Sequence, residues 1–219
     1  MEICVVEQQP DAPAELLAEW AHERGHHVTL VRTPEIDRWP DPSSFAAIVA
    51  LGSDCSVHAS TDPWIADQID FLRQAASASV PVLGLCFGGQ ALAAALGGAV
   101  APAPLIEIGW VAVQDAREPI TPGPWFTWHA DAFTVPPGAQ ALGTSPAGAQ
   151  GFRLGSSIGL QFHPEVTPEL VARWVAGGRA QLDDQRVDGA ALVAESERRR
   201  HDSRARAFAL FDAVAAAWA

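Results

Sequence analysis

The stretch that most narrows what this chain can become runs from Pro81 to Gly98. There an apolar run, Val82 to Leu85, meets an Ala/Leu-rich run, Gln90 to Leu96, across Gly84-Leu85-Cys86-Phe87-Gly88. The first run reads as a buried strand and the second as a helix closed by Gly97 and Gly98. The G-x-Cys-x-G joint fits a sharp strand-to-helix elbow, since small neighbours admit the strained turn that lifts the middle side chain off a sheet. The helix would aim its free N–H groups and partial positive charge at the sulfur, favouring the thiolate, which is the nucleophilic form. Taken alone, Cys86 reads equally well as a small hydrophobe in a core strand.

A second motif separates the two readings. Gly159-Leu160-Gln161-Phe162-His163-Pro164-Glu165 is another apolar run that ends in a base and a carboxylate. Pro164 drives His163 out of the helical region, which places the imidazole at an extended strand end, and Glu165 can reach back to its Nδ1 proton. Cys, His and an acid are the parts of an activated thiol nucleophile.

Together, Gly84-Leu85-Cys86-Phe87-Gly88-Gly89-Gln90 and Gln161-Phe162-His163-Pro164-Glu165 closely resemble the class I (triad) glutamine amidotransferases. That family includes the glutaminase domain of GMP synthetase and its stand-alone relatives. The resemblance covers nearly the whole chain and implies that Cys86 is the nucleophile, His163 the general acid/base and Glu165 its orienting partner. It also implies a role for Gln90 in binding or positioning substrate. The segment after the third strand, Gly52-Ser53-Asp54, resembles the family's oxyanion strand but lacks its second glycine. A tetrahedral oxyanion needs two converging N–H donors, and the expected ones are Phe87 and an amide near Gly52 or Ser53. Glu107-Ile108-Gly109 resembles a Glu-aromatic-Gly segment of the family, which would put Glu107 at a pocket rim; the competing reading is a solvated strand-end carboxylate. Trp125 to Asp131 resembles the segment that grips the ends of glutamine, making Trp128 and His129 expected substrate contacts. His129 is the rival base to His163, and lacks a carboxylate at matched spacing.

The pattern along the chain agrees with this layout. Glu2 to Val6, His27 to Val31 and Ala46 to Leu51 read as strands, with a helix from about Ala14 to Arg24 whose Leu16, Leu17 and Trp20 share a face. Asp62 to Ser77 reads as a helix with Pro63 in its first turn and Asp62 or Thr61 as cap. Beyond the elbow helix, Ala99 to Leu105 is expected to cross over, and a strand to begin at Gly109. Strands near 139–143, 151–154 and 158–162 then lead antiparallel to His163, and a helix starts at Thr167-Pro168. The alternation argues an α/β fold, a three-layer α/β/α arrangement with a mostly parallel sheet and an antiparallel extension. Residues 1–178 are the expected amidotransferase domain and 179–219 a C-terminal helical extension. Its stripe Leu210, Phe211, Val214 and Trp218 must lie on the body or on a second subunit. Five arginines between 198 and 206 read as a solvated face paired with Glu195 and Glu197, or as a dock for an acidic partner.

Composition enters as a set of exclusions. A net charge of −12 repels nucleic acid and anionic membranes, which leaves small molecules or proteins as partners. All fourteen basic side chains are arginine, so there is no Schiff-base or P-loop lysine. No cofactor is implied, and no metal: His22, His26 and His27 have no carboxylate or Cys spaced to complete a site. Cys4, Cys55 and Cys86 form no disulfide framework, and Met1 to Glu7 alternates like a strand rather than a leader, so a cytoplasmic protein is expected. The expected chemistry is cleavage of a γ-glutamyl amide. Three settings are consistent with it: a self-sufficient hydrolase, an ammonia-supplying subunit for a separate synthetase, or a catalytically quiet regulatory subunit.

Overall fold

The computed structural model describes residues 1–33 and 35–218; the last residue of the C-terminal extension lies outside them. The chain alternates β1 (Glu2–Glu7), α1 (Glu15–Glu23), β2 (His27–Arg32), β3 (Ala47–Ala50), α2 (Pro63–Ser77), β4 (Val82–Leu85) and α3 (Phe87–Ala95). Next come β5 (Val100–Ala112), β6 (Pro124–Phe133), β7 (Gln140–Ser145), β8 (Gly148–Leu154) and β9 (Ser157–Leu160), then α4 (Pro168–Gly177), α5 (Arg179–Asp184) and α6 (Gly189–Ala215). The main sheet has the order β2-β1-β3-β4-β9-β8-β7, parallel from β2 to β9 and antiparallel beyond.

Strand alternation decides which helices cover which face. On β1, Ile3 and Val5 join Leu16, Leu17 and Trp20 of α1 and Phe211 and Val214 of α6 in one core layer. Cys4 and Val6 join Ile65, Phe71 and Leu72 of α2 and Leu92 of α3 in the other. Strands buried on both faces need unbroken apolar runs, which is why Ala47–Ala50 and Val82–Leu85 show no polar alternation. Helix α6 thus lays its apolar stripe on the body of the same chain. Asp212 fastens it there, accepting from Trp20 Nε1 at 2.8 Å and from Arg24 Nε and Nη2 at 2.9 and 2.8 Å. Of the arginine-rich stretch, Arg199 pairs with Glu195, Arg200 with Glu169 and Glu197, and Arg204 with Glu19 and Glu23.

Three expectations need correction. The segment from Ala99 to Leu105 is no crossover: β5 starts at Val100 and pairs antiparallel with β6 in a separate two-stranded sheet, with an irregularity between Pro102 and Glu107. Pro102 and Pro104 are tolerated within it because a two-stranded ribbon has free edges where missing N–H groups cost nothing. Helix α3 begins at Phe87, not Gln90. Glycines 88 and 89, read as elbow, are its first turn. Asp62 occupies the N-cap position of α2 without a side-chain capping bond.

Those glycines are required by packing. A Cβ on Gly88 would stand 2.1 Å from the Ala50 carbonyl oxygen, and one on Gly89 would stand 2.4 Å from that of Leu160. Helix α3 therefore presses backbone to backbone on β3 and β9. Gly88→Ala is expected to destabilise the fold by about 3 kcal/mol or more, because the obstacle is main chain and cannot turn aside. The check is the urea midpoint by circular dichroism; a midpoint within error of the wild type would refute the packing argument.

Candidate active site

Parallel strands β3, β4 and β9 all end on the same edge of the sheet, and the residues just past their ends meet there. Cys86 follows β4 with φ +49° and ψ −109°, a conformation non-glycine residues avoid, and stands at the N-cap of α3. The turn is held by Cys86 N–H donating to the Leu160 carbonyl at 2.9 Å and Gly88 N–H donating to the Leu51 carbonyl at 3.0 Å. Phe87, first residue of the helix, has an N–H for which the helix offers no acceptor.

His163 lies three residues beyond β9, and its N–H donates to the Phe126 carbonyl at 2.8 Å. Its Nδ1 is 2.7 Å from Glu165 Oε1, and both side chains are buried. With Nδ1 donating to the carboxylate, Nε2 is the atom left for another partner, and Cys86 is the neighbour that acts on the ring from outside the pair. The edge of the ring rests on Trp174, centroids 4.9 Å apart. Burial pulls this imidazole toward neutrality, but the facing Cys86 and Glu165 outweigh it and raise its pKa to about 10.

Gly52 supplies the third corner. A Cβ there would meet His163 Cε1 at 2.8 Å and Cys86 Cβ at 3.8 Å, so no larger residue fits between the two side chains. Ser53 Oγ and the Asp54 N–H both donate to Gln9 Oε1 at 2.9 Å, and Cys55 N–H donates back to Ser53 Oγ at 3.1 Å. The loop after β3 is thereby tied to the loop after β1. Gln9 carries no sequence signal, since only the parallel pairing of β1 with β3 brings the two loops together.

The cleft has two lobes that share Ser53, Asp54, Trp128 and Gln181. One of about 220 Å³ contains Cys86, Gln90, His129 and Asp131. The other, of about 310 Å³, lies beyond His163 between Trp128, Trp174, Asp11 and Arg173. Gln181, whose Oε1 accepts from Trp128 Nε1 at 2.8 Å, comes from α5, in the segment expected as an appendage. Gln90 points its amide at the Asp131 carbonyl, 3.0 Å away. Gln161, inside a quoted motif but given no role, sends Nε2 to within 3.8 Å of the Cys86 sulfur. Asp131, also passed over, is held by Ser56 at 2.5 Å and His58 at 3.3 Å.

Glu107 is neither at the rim nor solvated. It is 5% exposed, lines neither lobe, and faces His129 Nε2 at 3.3 Å. The expectation that His129 lacks a carboxylate at matched spacing fails: Asp131 stands two residues on, as Glu165 does from His163, but gives its carboxylate to Ser56 and His58, while Glu107 faces the ring from the opposite position of the β5–β6 ladder. What removes His129 as a base is that both ring nitrogens are engaged, Nδ1 with the Asp131 carbonyl at 2.9 Å. Among the described residues no His, Cys, Asp and Glu side chains group as a metal site, and no helix is long and apolar enough to cross a membrane.

A doubly wound sheet with a cysteine elbow opposite a His–Glu pair defines a class of protein, and the sequence places the chain in it. Residues 11–173 match the family model Glutamine amidotransferase class-I, and the chain belongs to that family. Among its relatives, the GMP synthase (glutamine-hydrolyzing) of Aeropyrum pernix is 33% identical over 181 residues, 78% of this chain and 33% of the relative. That of Thermosipho africanus is 29% identical over 162 residues, 70% of this chain and 30% of the relative. The chain spans about a third of the length of these GMP synthases. A glutamine amidotransferase from Methylobacillus flagellatus shares the fold with a TM-score of 0.90 at 22% identity, over 99% of this chain and 94% of that one.

Because the His163 pKa is raised above its ordinary value near 6.5, the stabilisation from the charged ring is complete below about pH 6.5 and is lost as pH rises through about 10. Cys86→Ala removes one of the two raising partners, so the His163 titration followed by NMR is expected to move to lower pH, and the alkaline limb of stability with it. An unmoved titration would mean that sulfur and ring are not electrostatically coupled.

Proposed function

We propose that this chain hydrolyses the γ-amide of glutamine or of a γ-glutamyl compound through a cysteinyl thioester. The observation that carries the reading is the Cys86 sulfur, held at positive φ on a helix N-terminus against an imidazole whose far nitrogen is fixed by a buried carboxylate.

In this scheme Cys86 and His163 rest as thiolate and imidazolium. The sulfur attacks the γ-carbonyl carbon and the carbonyl electrons move onto oxygen, where the Phe87 N–H and an amide at Gly52 or Ser53 receive the charge. His163 gives its proton to the departing nitrogen, the C–N bond breaks, and ammonia or an amine leaves the thioester behind. Water then takes the nucleophile's place: His163 accepts its proton, the oxygen adds to the thioester carbon, and the thiolate is expelled as glutamate forms. Glu165 keeps Nδ1 protonated throughout, so that Nε2 remains the working atom.

Two observations favour a hydrolase active by itself. The loop bearing Gly52 and Ser53 is already tethered by Gln9, so a docking partner is not needed to set it. The lobe of about 310 Å³ beyond His163 far exceeds the room ammonia requires and suits a bulkier amine between Trp128 and Trp174. The second reading, ammonia supply to a separate synthetase, draws on the GMP synthases, of which this chain matches only about a third. A cytoplasmic, cofactor-free small-molecule enzyme is consistent with either.

An electrophilic glutamine analogue is expected to attach to Cys86. Cys4 should stay unmodified, since burial, together with the Glu2 carboxylate, pushes its thiol up to about 12. Cys86→Ala should abolish glutamate release, while Glu165→Gln should remain on the order of 10²-fold more active than it, since an amide oxygen can still accept a hydrogen bond from Nδ1–H. The deciding assay is glutamate release by the purified chain on glutamine and on a panel of γ-glutamyl amines. Turnover supports the hydrolase; labelling at Cys86 without turnover transfers the case to a missing synthetase; modification elsewhere overturns the site.

A further inference from the structure

We propose that Glu107 and His129 are positioning residues that act on the Cys86 sulfur through a fixed chain of hydrogen bonds running by way of Asp131, Gln90 and Gln161. This inference rests on Cys86 being the nucleophile, and it gives a task to a buried ion pair that the hydrolytic scheme leaves unused.

The chain has one direction, set by which atoms can donate. A carbonyl oxygen only accepts, so His129 Nδ1, 2.9 Å from the Asp131 carbonyl, carries a proton. At the other side of the ring, Nε2 faces Glu107 Oε2 at 3.3 Å. Burial pushes the Glu107 carboxyl up, but bonds from His129, Ser145 and the Ala147 N–H outweigh it and hold the group below the usual carboxylate range. Gln150 Nε2 adds a further donor at 3.2 Å. A Glu107 carboxylate can only accept, so the Nε2 that faces it takes the donor's place as well.

The Asp131 carbonyl accepts from His129 and, at 3.0 Å, from Gln90 Nε2, which fixes the orientation of the Gln90 amide. That same nitrogen lies 3.4 Å from Gln161 Oε1, so the Gln161 amide must turn its own nitrogen the other way, to the sulfur 3.8 Å off. The Gln161 backbone N–H is anchored on the Gln150 carbonyl at 3.0 Å, and Gln150 returns to Glu107. A closed ring of bonds thus holds one N–H on Cys86. It is needed there because the Trp128 carbonyl oxygen stands 3.9 Å from the same sulfur and would repel a thiolate. The charged groups around the sulfur are His163 with Glu165 on one side, His129 with Glu107 behind the amides on the other, and in the same lobe Asp54 and Asp131, the latter paired with His58.

The test uses the full chain with iodoacetamide, a small neutral probe that needs no substrate pocket, and reads alkylation of Cys86 by peptide mapping with Cys55 as internal control. Glu107→Gln, His129→Asn and Gln161→Leu are each expected to slow Cys86 labelling at pH 7 by about threefold to tenfold, the loss of one hydrogen bond to a charged sulfur, with Cys55 unchanged. Glu107→Gln combined with Gln161→Leu should be no slower than the slower single variant, since both cut the same chain. In parallel, ¹⁵N-histidine NMR of the wild type at neutral pH should show His129 with both ring nitrogens protonated. Folded variants that label at the wild-type rate, effects that multiply in the double variant, or a bare ring nitrogen on His129 would each overturn the proposal. If Glu107→Gln fails to fold, Gln161→Leu and the NMR signature still decide. A wild-type Cys86 that does not react would instead remove the hydrolytic reading, a distinguishable result.

Discussion

The close approach of α3 to β3, β4 and β9 is the contact on which the rest of the site depends. Helices pack on sheets at a spacing set by side chains, and here glycines remove that layer. Gly88 sits on the Ala50 carbonyl, Gly89 on that of Leu160, and Gly84 leaves room for the Gly88 carbonyl, which a Cβ would approach to 2.4 Å. Only with the helix seated so low can a single residue, Cys86, turn the chain from strand to helix, and only at a positive φ. The strain is held by the sheet itself, because the Cys86 and Gly88 N–H groups are bonded to β9 and to the end of β3. The strands that receive those bonds are also the ones that deliver Gly52 and His163, so seating the helix and assembling the site are one event.

Around the sulfur the chain has buried two His–Glu pairs, an expensive choice beside the exposed ion pairs that link α1, α4 and α6. The costs are offset differently. His163 and Glu165 are two residues apart, with Pro164 fixing the turn, and the ring finds its second partner in Cys86. His129 and Glu107 are brought together by a strand ladder, and their remaining bonding capacity is filled by Gln150, Ser145 and the Asp131 carbonyl. The first pair faces a sulfur and the second faces only amides, hydroxyl and carbonyl groups, which on the proposed mechanism separates a proton-carrying role from a holding one.

What the sequence made legible follows from distance along the chain. The elbow is a five-residue pattern, His163 and Glu165 are two apart, and the apolar runs of β1, β3 and β4 announce strands covered on both faces. Each is local, and hard-sphere geometry plus burial suffices to read it. The β5–β6 ribbon was missed because Pro102 and Pro104 look like a loop, and because a ribbon that is its own sheet has no buried-face pattern to display. Missing the ribbon hid the Glu107–His129 pair, which exists only in that register. Gln9 and Gln181 were invisible for the same reason: each reaches the cleft from an element more than forty residues away from the loop or side chain it holds.

The loop after β3 shows how a departure from a family pattern can be read physically. A pair of glycines there would serve two needs, space beside Cys86 and His163 and freedom for the backbone to turn an amide into the cleft. In this chain the needs are divided. Gly52 answers the first, since a Cβ would collide with the His163 ring 2.8 Å away. Its φ lies outside the left-handed region, so space and not conformation fixes its identity. At position 53 there is a side chain, and it is used: Ser53 Oγ donates to Gln9 and accepts from the Cys55 N–H, with Asp54 N–H on the same Gln9 oxygen. Three hydrogen bonds make a tether whose other end is Gln9, in the loop that leaves the buried strand β1. A loop built on glycine must be ordered by something that binds to it, whereas one built on Ser53 and Gln9 is ordered as the sheet forms.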